Sequence, residues 1–80
     1  MTREEVYEQL NQVFRQVFDD EDIVVSDSTT ADDIEDWDSL EHINLVVAVE
    51  KQFSIKFNMG EVNSFQNVGE MVDLILQRVG

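Results

Sequence analysis

An all-α fold is predicted, a small bundle of three long helices plus one short helix, with a long loop between the first and second helices. Three observations carry this. Apolar residues recur at helical spacing in three separate blocks, each preceded by a residue able to cap a helix. No proline occurs in the 80 residues, so nothing in the backbone chemistry forbids long helices or marks a rigid linker. The length suits a single domain over residues 1–80, one that buries about 60% of the surface its unfolded chain exposes.

The first helix is expected from Thr2 to about Phe18. Thr2 and Glu5 make a capping box, in which each side chain accepts the other residue's backbone amide. Val6, Leu10, Val13 and Val17 follow at spacings of four, three and four, and Tyr7, Phe14 and Phe18 widen the stripe. Residues 19 to 37 form the long loop. Asp19, Asp20, Glu21 and Asp22 end the helix in like charge, and residues 26 to 30 are turn formers. A loop of this length has to be packed by its own side chains, and Ile23, Val25 and Ile34 are the expected anchors. A helical turn fits residues 31 to 35.

The second long helix begins at Asp38. Asp38 with Glu41 repeats the capping-box pattern, which makes Ser39 the first helical residue. Leu40, Ile43, Val46, Val47 and Phe53 are the expected core stripe. The run from Leu45 to Val49 alone would suit a buried strand, but the cap and the continuation through Glu50, Lys51 and Gln52 favour a helix ending near Phe53. Residues 54 to 57 alternate like a short extended segment. Residues 59 to 63 allow at most a short third helix, weakened by Gly60. In the last block Asn67 caps, Glu70 takes the third position, and Val68, Met71, Val72, Ile75 and Val79 form the stripe.

Composition excludes several classes of function. With 18 acidic against five basic residues the formal charge is −13, which repels nucleic acid and suits partners with basic patches. The longest apolar run, Leu45 to Val49, is far short of the roughly 20 residues a membrane span needs. Residues 1 to 5 lack the apolar region of a secretory signal, so a soluble, cytoplasmic monomer is expected, with no membrane partner. There is no cysteine to form a disulfide or a thiolate metal site. The acidic stretch from Asp19 to Asp38 has no glycine, which an EF-hand loop requires at its sixth position; loose divalent binding by clustered carboxylates is expected instead. Ser39 and His42 stand one helical turn apart, but no glycine-flanked elbow surrounds the serine. His42 is therefore read as a solvated helix residue rather than a catalytic base. Trp37 is read as a buried loop anchor.

Asp38-Ser39-Leu40 at the head of an apolar helix resembles the attachment motif of acyl carrier proteins. The resemblance covers nearly the whole chain: a first amphipathic helix, a long acidic loop, the tripeptide, an apolar helix ending in Glu50-Lys51-Gln52-Phe53, and a final amphipathic helix with Val68 at its start. It implies a non-enzymatic carrier. Ser39 would receive 4′-phosphopantetheine from coenzyme A through a phosphopantetheinyl transferase, and the arm's thiol would hold an acyl, polyketide or aminoacyl group as a thioester. Further partners would be acyl-loading and acyl-processing enzymes with basic docking patches. Asp38, Leu40, Glu41, Asn44, Val47 and Glu61 are the implied recognition surface. The physics at Ser39 is compatible: a helix-start hydroxyl faces solvent, and a phosphodiester there meets the positive end of the helix dipole.

The chain also departs from the family pattern. Housekeeping carriers usually have acid at the position of Asn44 and more acid where Lys51 and Gln52 stand. Their third helix is acidic and follows a proline, whereas here the segment is Asn58-Met59-Gly60-Glu61-Val62, and Asp36 and Trp37 replace small residues. These departures imply a specialised rather than housekeeping member. The competing reading is an acidic helical adaptor that binds basic partners without a prosthetic group.

Overall fold

The computed structural model describes residues 1–79. Helix α1 spans Arg3–Val17, α2 Ser39–Phe53, α3 Met59–Val62 and α4 Val68–Val79, with a single 3₁₀ turn at Ala31–Asp33. The capping box at Thr2 and Glu5 is complete: Thr2 Oγ1 accepts from the Glu5 amide, and Glu5 Oε1 accepts from the Thr2 amide. α2 ends after Phe53 at Ser54, whose φ of 56° is left-handed. The Ile55 amide then donates to the Glu50 carbonyl, closing a Schellman-type end. Residues 54 to 57 alternate as expected, with Ile55 buried and Lys56 exposed, but they pair with no strand among the described residues.

α1 packs against both α2 and α4. Val6, Leu10, Val13 and Phe14 of α1 meet Leu45, Val49 and Phe53 of α2 and Val68, Met71, Val72 and Ile75 of α4 in one buried cluster. Phe18, Val25 and Ile55 of the connections complete it. Val25 is buried, and Ile23 and Ile34 lie half-buried against the same cluster, as a self-packed loop requires.

Hydrogen bonds hold the loop down as well. The Val25 amide donates to Asn11 Oδ1 at 2.8 Å, and Arg15 Nε donates to the Ile23 carbonyl at 2.8 Å. At the other side, the Val68 and Gly69 amides donate to the carbonyls of Thr29 and Asp27 at 2.8 and 3.1 Å. The loop backbone thus satisfies the opening amides of α4, which no helical carbonyl can reach. A Cβ at Gly69 would lie 2.8 Å from the Asp27 oxygen, so this approach requires glycine. The resulting radius of gyration is 11.4 Å, close to the roughly 12 Å expected for a well-packed chain of this length.

α2 corrects the expected core stripe. Val46 and Phe53 are buried, but so are Leu45 and Val49, which the expected stripe omitted. Leu40, Ile43 and Val47 are 69%, 49% and 43% exposed. The reason is geometric. α2 is apolar on almost every side, so apolar spacing alone does not fix its rotation. Docking on α1 fixes it, turning the 42-45-46-49-53 face inward and the 40-43-47 face outward.

Candidate functional site at the head of α2

Asp38 is extended, with φ −110° and ψ −173°, and its Oδ1 accepts from the Glu41 amide at 2.8 Å. The reciprocal half of the expected capping box is absent. The chain enters α2 through a tight turn in which the Asp38 amide donates to the Asp36 carbonyl, so it has no use for Glu41. The Glu41 carboxylate instead accepts from Asn44 Nδ2 at 3.2 Å. Ser39 follows the cap as the first helical residue and is exposed. The amides of Ser39 and Leu40 make no hydrogen bond among the described residues, so two donors stand open beside the serine hydroxyl.

His42 is not a solvated residue, contrary to the sequence expectation. Its ring is half-buried and lies nearly parallel to that of Trp37, at 18°, with centroids 5.9 Å apart. Trp37 Nε1 donates to His42 Nδ1 at 3.1 Å, and His42 Nε2 bonds the Val62 carbonyl of α3 at 2.8 Å. Both imidazole nitrogens are therefore engaged away from Ser39, and no hydrogen bond joins the two residues. Trp37 anchors the loop from a half-buried position, its ring edge-on to Phe14 and tilted on Phe18. A cavity of about 510 Å³ opens beside Ser39, lined also by Trp37, His42, Ile43, Asn63, Phe65 and Gln66.

Of the predicted surface residues, Asp38, Leu40, Glu41, Asn44 and Val47 share the outer side of α2 and its cap. Glu61 stands apart on α3. Its carboxylate accepts from the Asn58 amide and pairs with Arg78, and both contacts hold it below the usual carboxylate range. Ile43 and Met59 join the exposed apolar surface although neither was expected there. A second apolar row at i, i+3 and i+7 on a helix that already has a core row is the signal that identifies Ile43. No three His, Asp or Glu side chains converge on a metal position among the described residues.

The sequence pattern of the phosphopantetheine attachment site family matches residues 8–75. The chain belongs to the acyl carrier protein family. It is 30% identical to the acyl carrier protein of Petrotoga mobilis, over 99% of this chain and 93% of that one. It is likewise 30% identical to that of Borreliella burgdorferi over the full length of both. The solution NMR structure of holo acyl carrier protein from Geobacter metallireducens superimposes with a TM-score of 0.86 at 44% identity, covering 92% of this chain and 85% of that one. An acyl carrier protein is not an enzyme. It holds its cargo on a covalently attached 4′-phosphopantetheine and works with a phosphopantetheinyl transferase and with acyl-processing enzymes. The residues at the head of α2 fit such a group: an exposed hydroxyl, two open amides at the positive end of a 15-residue helix, and an adjoining cavity. An adaptor without a prosthetic group would leave that match unexplained.

Proposed function

We propose that Ser39 is the attachment residue and that the outer side of α2 is where partner enzymes dock. The observation that carries this is the placement of Ser39 as an exposed first helical residue, immediately after a capping aspartate and at the rim of a cavity. The arm would supply the thiol that a cysteine-free chain lacks and carry the cargo as a thioester. Asp38 would present charge to the transferase while it caps the helix. Leu40 and Val47 would give partners an apolar grip, and Glu41 and Asn44 would set the polar contacts between them. Glu61 would contribute by holding α3 in place more than by offering a free charge.

The chain would act as a cytoplasmic monomer, and its partners would carry basic patches, since no basic residue stands between Arg15 and Lys51. The replacement of acid by Asn44 and Lys51 supports service in a dedicated pathway rather than general fatty-acid synthesis. Incubation with coenzyme A and a broad-specificity transferase tests the attachment. The intact mass should rise by one phosphopantetheine, and Ser39→Ala should abolish the rise. A wild type left unmodified by several transferases would contradict the proposal.

A further inference from the structure

We infer that His42 is a positioning residue for Ser39. It works as a strap that ties the turn around the serine to α3 and so sets the width of the cavity at whose rim the hydroxyl stands. The inference rests on Ser39 being the attachment residue.

Donor and acceptor chemistry fixes the state of the ring. An indole nitrogen can only donate, and a carbonyl oxygen can only accept. Because Trp37 Nε1 donates to His42 Nδ1, that nitrogen carries no proton. Because Nε2 faces the Val62 oxygen, it carries one. The ring is thereby held as a single tautomer between two fixed partners.

Those partners bracket the site. Trp37 lies two residues before Ser39 and His42 three residues after it, so their side-chain bond closes the 37–42 segment on itself. The His42 amide to the Asp38 carbonyl, at 2.8 Å, closes it a second time through the backbone. Trp37 rests on Phe14 and Phe18, which fixes the segment to α1. The bond to Val62 fixes it to α3. A helix of four residues has no stability of its own. Val62 is in its last turn, where carbonyls lack helical partners, so His42 supplies a bond that α3 would otherwise be without. Residues Asn63, Phe65 and Gln66, which continue from α3, line the same cavity as Ser39. Ser39 and these residues line one cavity, and the His42 strap ties the two chain segments that form it.

Two measurements test this. In the unmodified protein near neutral pH, imidazole ¹⁵N NMR should show Nδ1 as an unprotonated, accepting nitrogen and Nε2 as the protonated one; the opposite tautomer would overturn the strap. In transferase kinetics, His42→Leu should raise the KM for the carrier roughly two- to tenfold, the range that one net hydrogen bond allows, with kcat little changed. It should also speed hydrogen exchange in α3. His42→Gln, whose amide can accept from Trp37 and donate to Val62, should recover most of the wild-type KM. Trp37→Phe keeps the ring, removes the donor, and should lose part of the effect. A wild-type KM in His42→Leu, or equal losses in the Leu and Gln variants, would overturn the positioning role. Failure of the wild type to accept the arm would instead contradict the attachment reading, and the tautomer would still decide whether the strap exists.

Discussion

The Asp38 carboxylate caps α2 and, in the proposed function, also presents charge to the transferase; variants can separate the two. Asp38→Ala removes the acceptor for the Glu41 amide, and losing such a cap typically costs about 0.5–2 kcal/mol. It should lower the melting temperature as well as slow modification. Asp38→Asn keeps an acceptor and removes the charge. It should slow modification with little loss of stability, and added salt should erase much of the difference from wild type. Equal salt dependence in both proteins would show that the charge does not steer the transferase. Gly69 is a purely structural counterpart. Gly69→Ala would place a methyl 2.8 Å from the Asp27 carbonyl oxygen, where backbone and not a flexible side chain must give way. A loss of roughly 1–3 kcal/mol in denaturant unfolding is expected, as for other overpacked sites. Faster hydrogen exchange of the Val68 and Gly69 amides, which donate to the Thr29 and Asp27 carbonyls, should accompany it.

At the scale of the element, α2 has two apolar faces in different surroundings. Leu45 and Val49 are fully buried, whereas Leu40, Ile43 and Val47 lie outward. Truncation should therefore have opposite consequences on the two faces. Leu45→Ala should cost about 2–5 kcal/mol through the cavity it leaves. Leu40→Ala should cost well under about 1 kcal/mol in stability yet weaken use by partner enzymes. The acidic variant Asn44→Glu with Lys51→Glu should gain activity with fatty-acid synthase enzymes that use the wild type poorly. Equal use of the two would count against a dedicated pathway. α2 also marks the limit of what the sequence could reveal. Its existence, its cap and its end at Phe53 follow from local chemistry, and so do α1, α3 and α4. Its rotation does not, because apolar residues surround it and only tertiary contact selects the inward face. His42 was misjudged for the same reason. It lies on the inward face, one turn before Leu45 and Val46, but its partners Trp37 and Val62 belong to a loop and to α3. The placement of Ser39 at the head of α2 was legible because the capping aspartate before it marks the helix start.

The whole molecule is held together against its own charge. Two of the five basic side chains form ion pairs among the described residues: Arg3 with Asp27 and Asp73 at 2.7 Å each, and Arg78 with Glu61. Exposed pairs of this kind contribute about 0–1 kcal/mol, too little to offset a formal charge of −13. Salt, and magnesium or calcium more strongly, should raise the melting temperature, with each kcal/mol of relieved repulsion worth about 4–8 °C. A melting temperature indifferent to ionic strength would rule out repulsion as a leading cost.

Individual contacts add a pH dependence at both ends of the range. Hydrogen bonds from Tyr7 and then Arg3 lower the Asp27 carboxyl, and the Asn58 amide and then Arg78 lower that of Glu61. A carboxyl lowered by folding stabilises above its unfolded value and loses that contribution as pH falls through the lowered folded one. These contacts should therefore fail below about pH 4. Burial and the bond to Asp27 push the Tyr7 hydroxyl up to about 12. Its contribution is complete below about pH 10 and is lost as pH rises through its folded value.

The most direct test of the site is to find where the arm goes. The chain has five serines, at positions 26, 28, 39, 54 and 64, and all are exposed, so exposure alone does not single one out. Among them only Ser39 is the first residue of a long helix, with a capping aspartate before it. Peptide mapping by tandem mass spectrometry after reaction with coenzyme A and a transferase should place the whole phosphopantetheine mass on Ser39, with the other four serines unmodified. The same mass on any other serine, or its persistence in Ser39→Ala, would contradict the assignment.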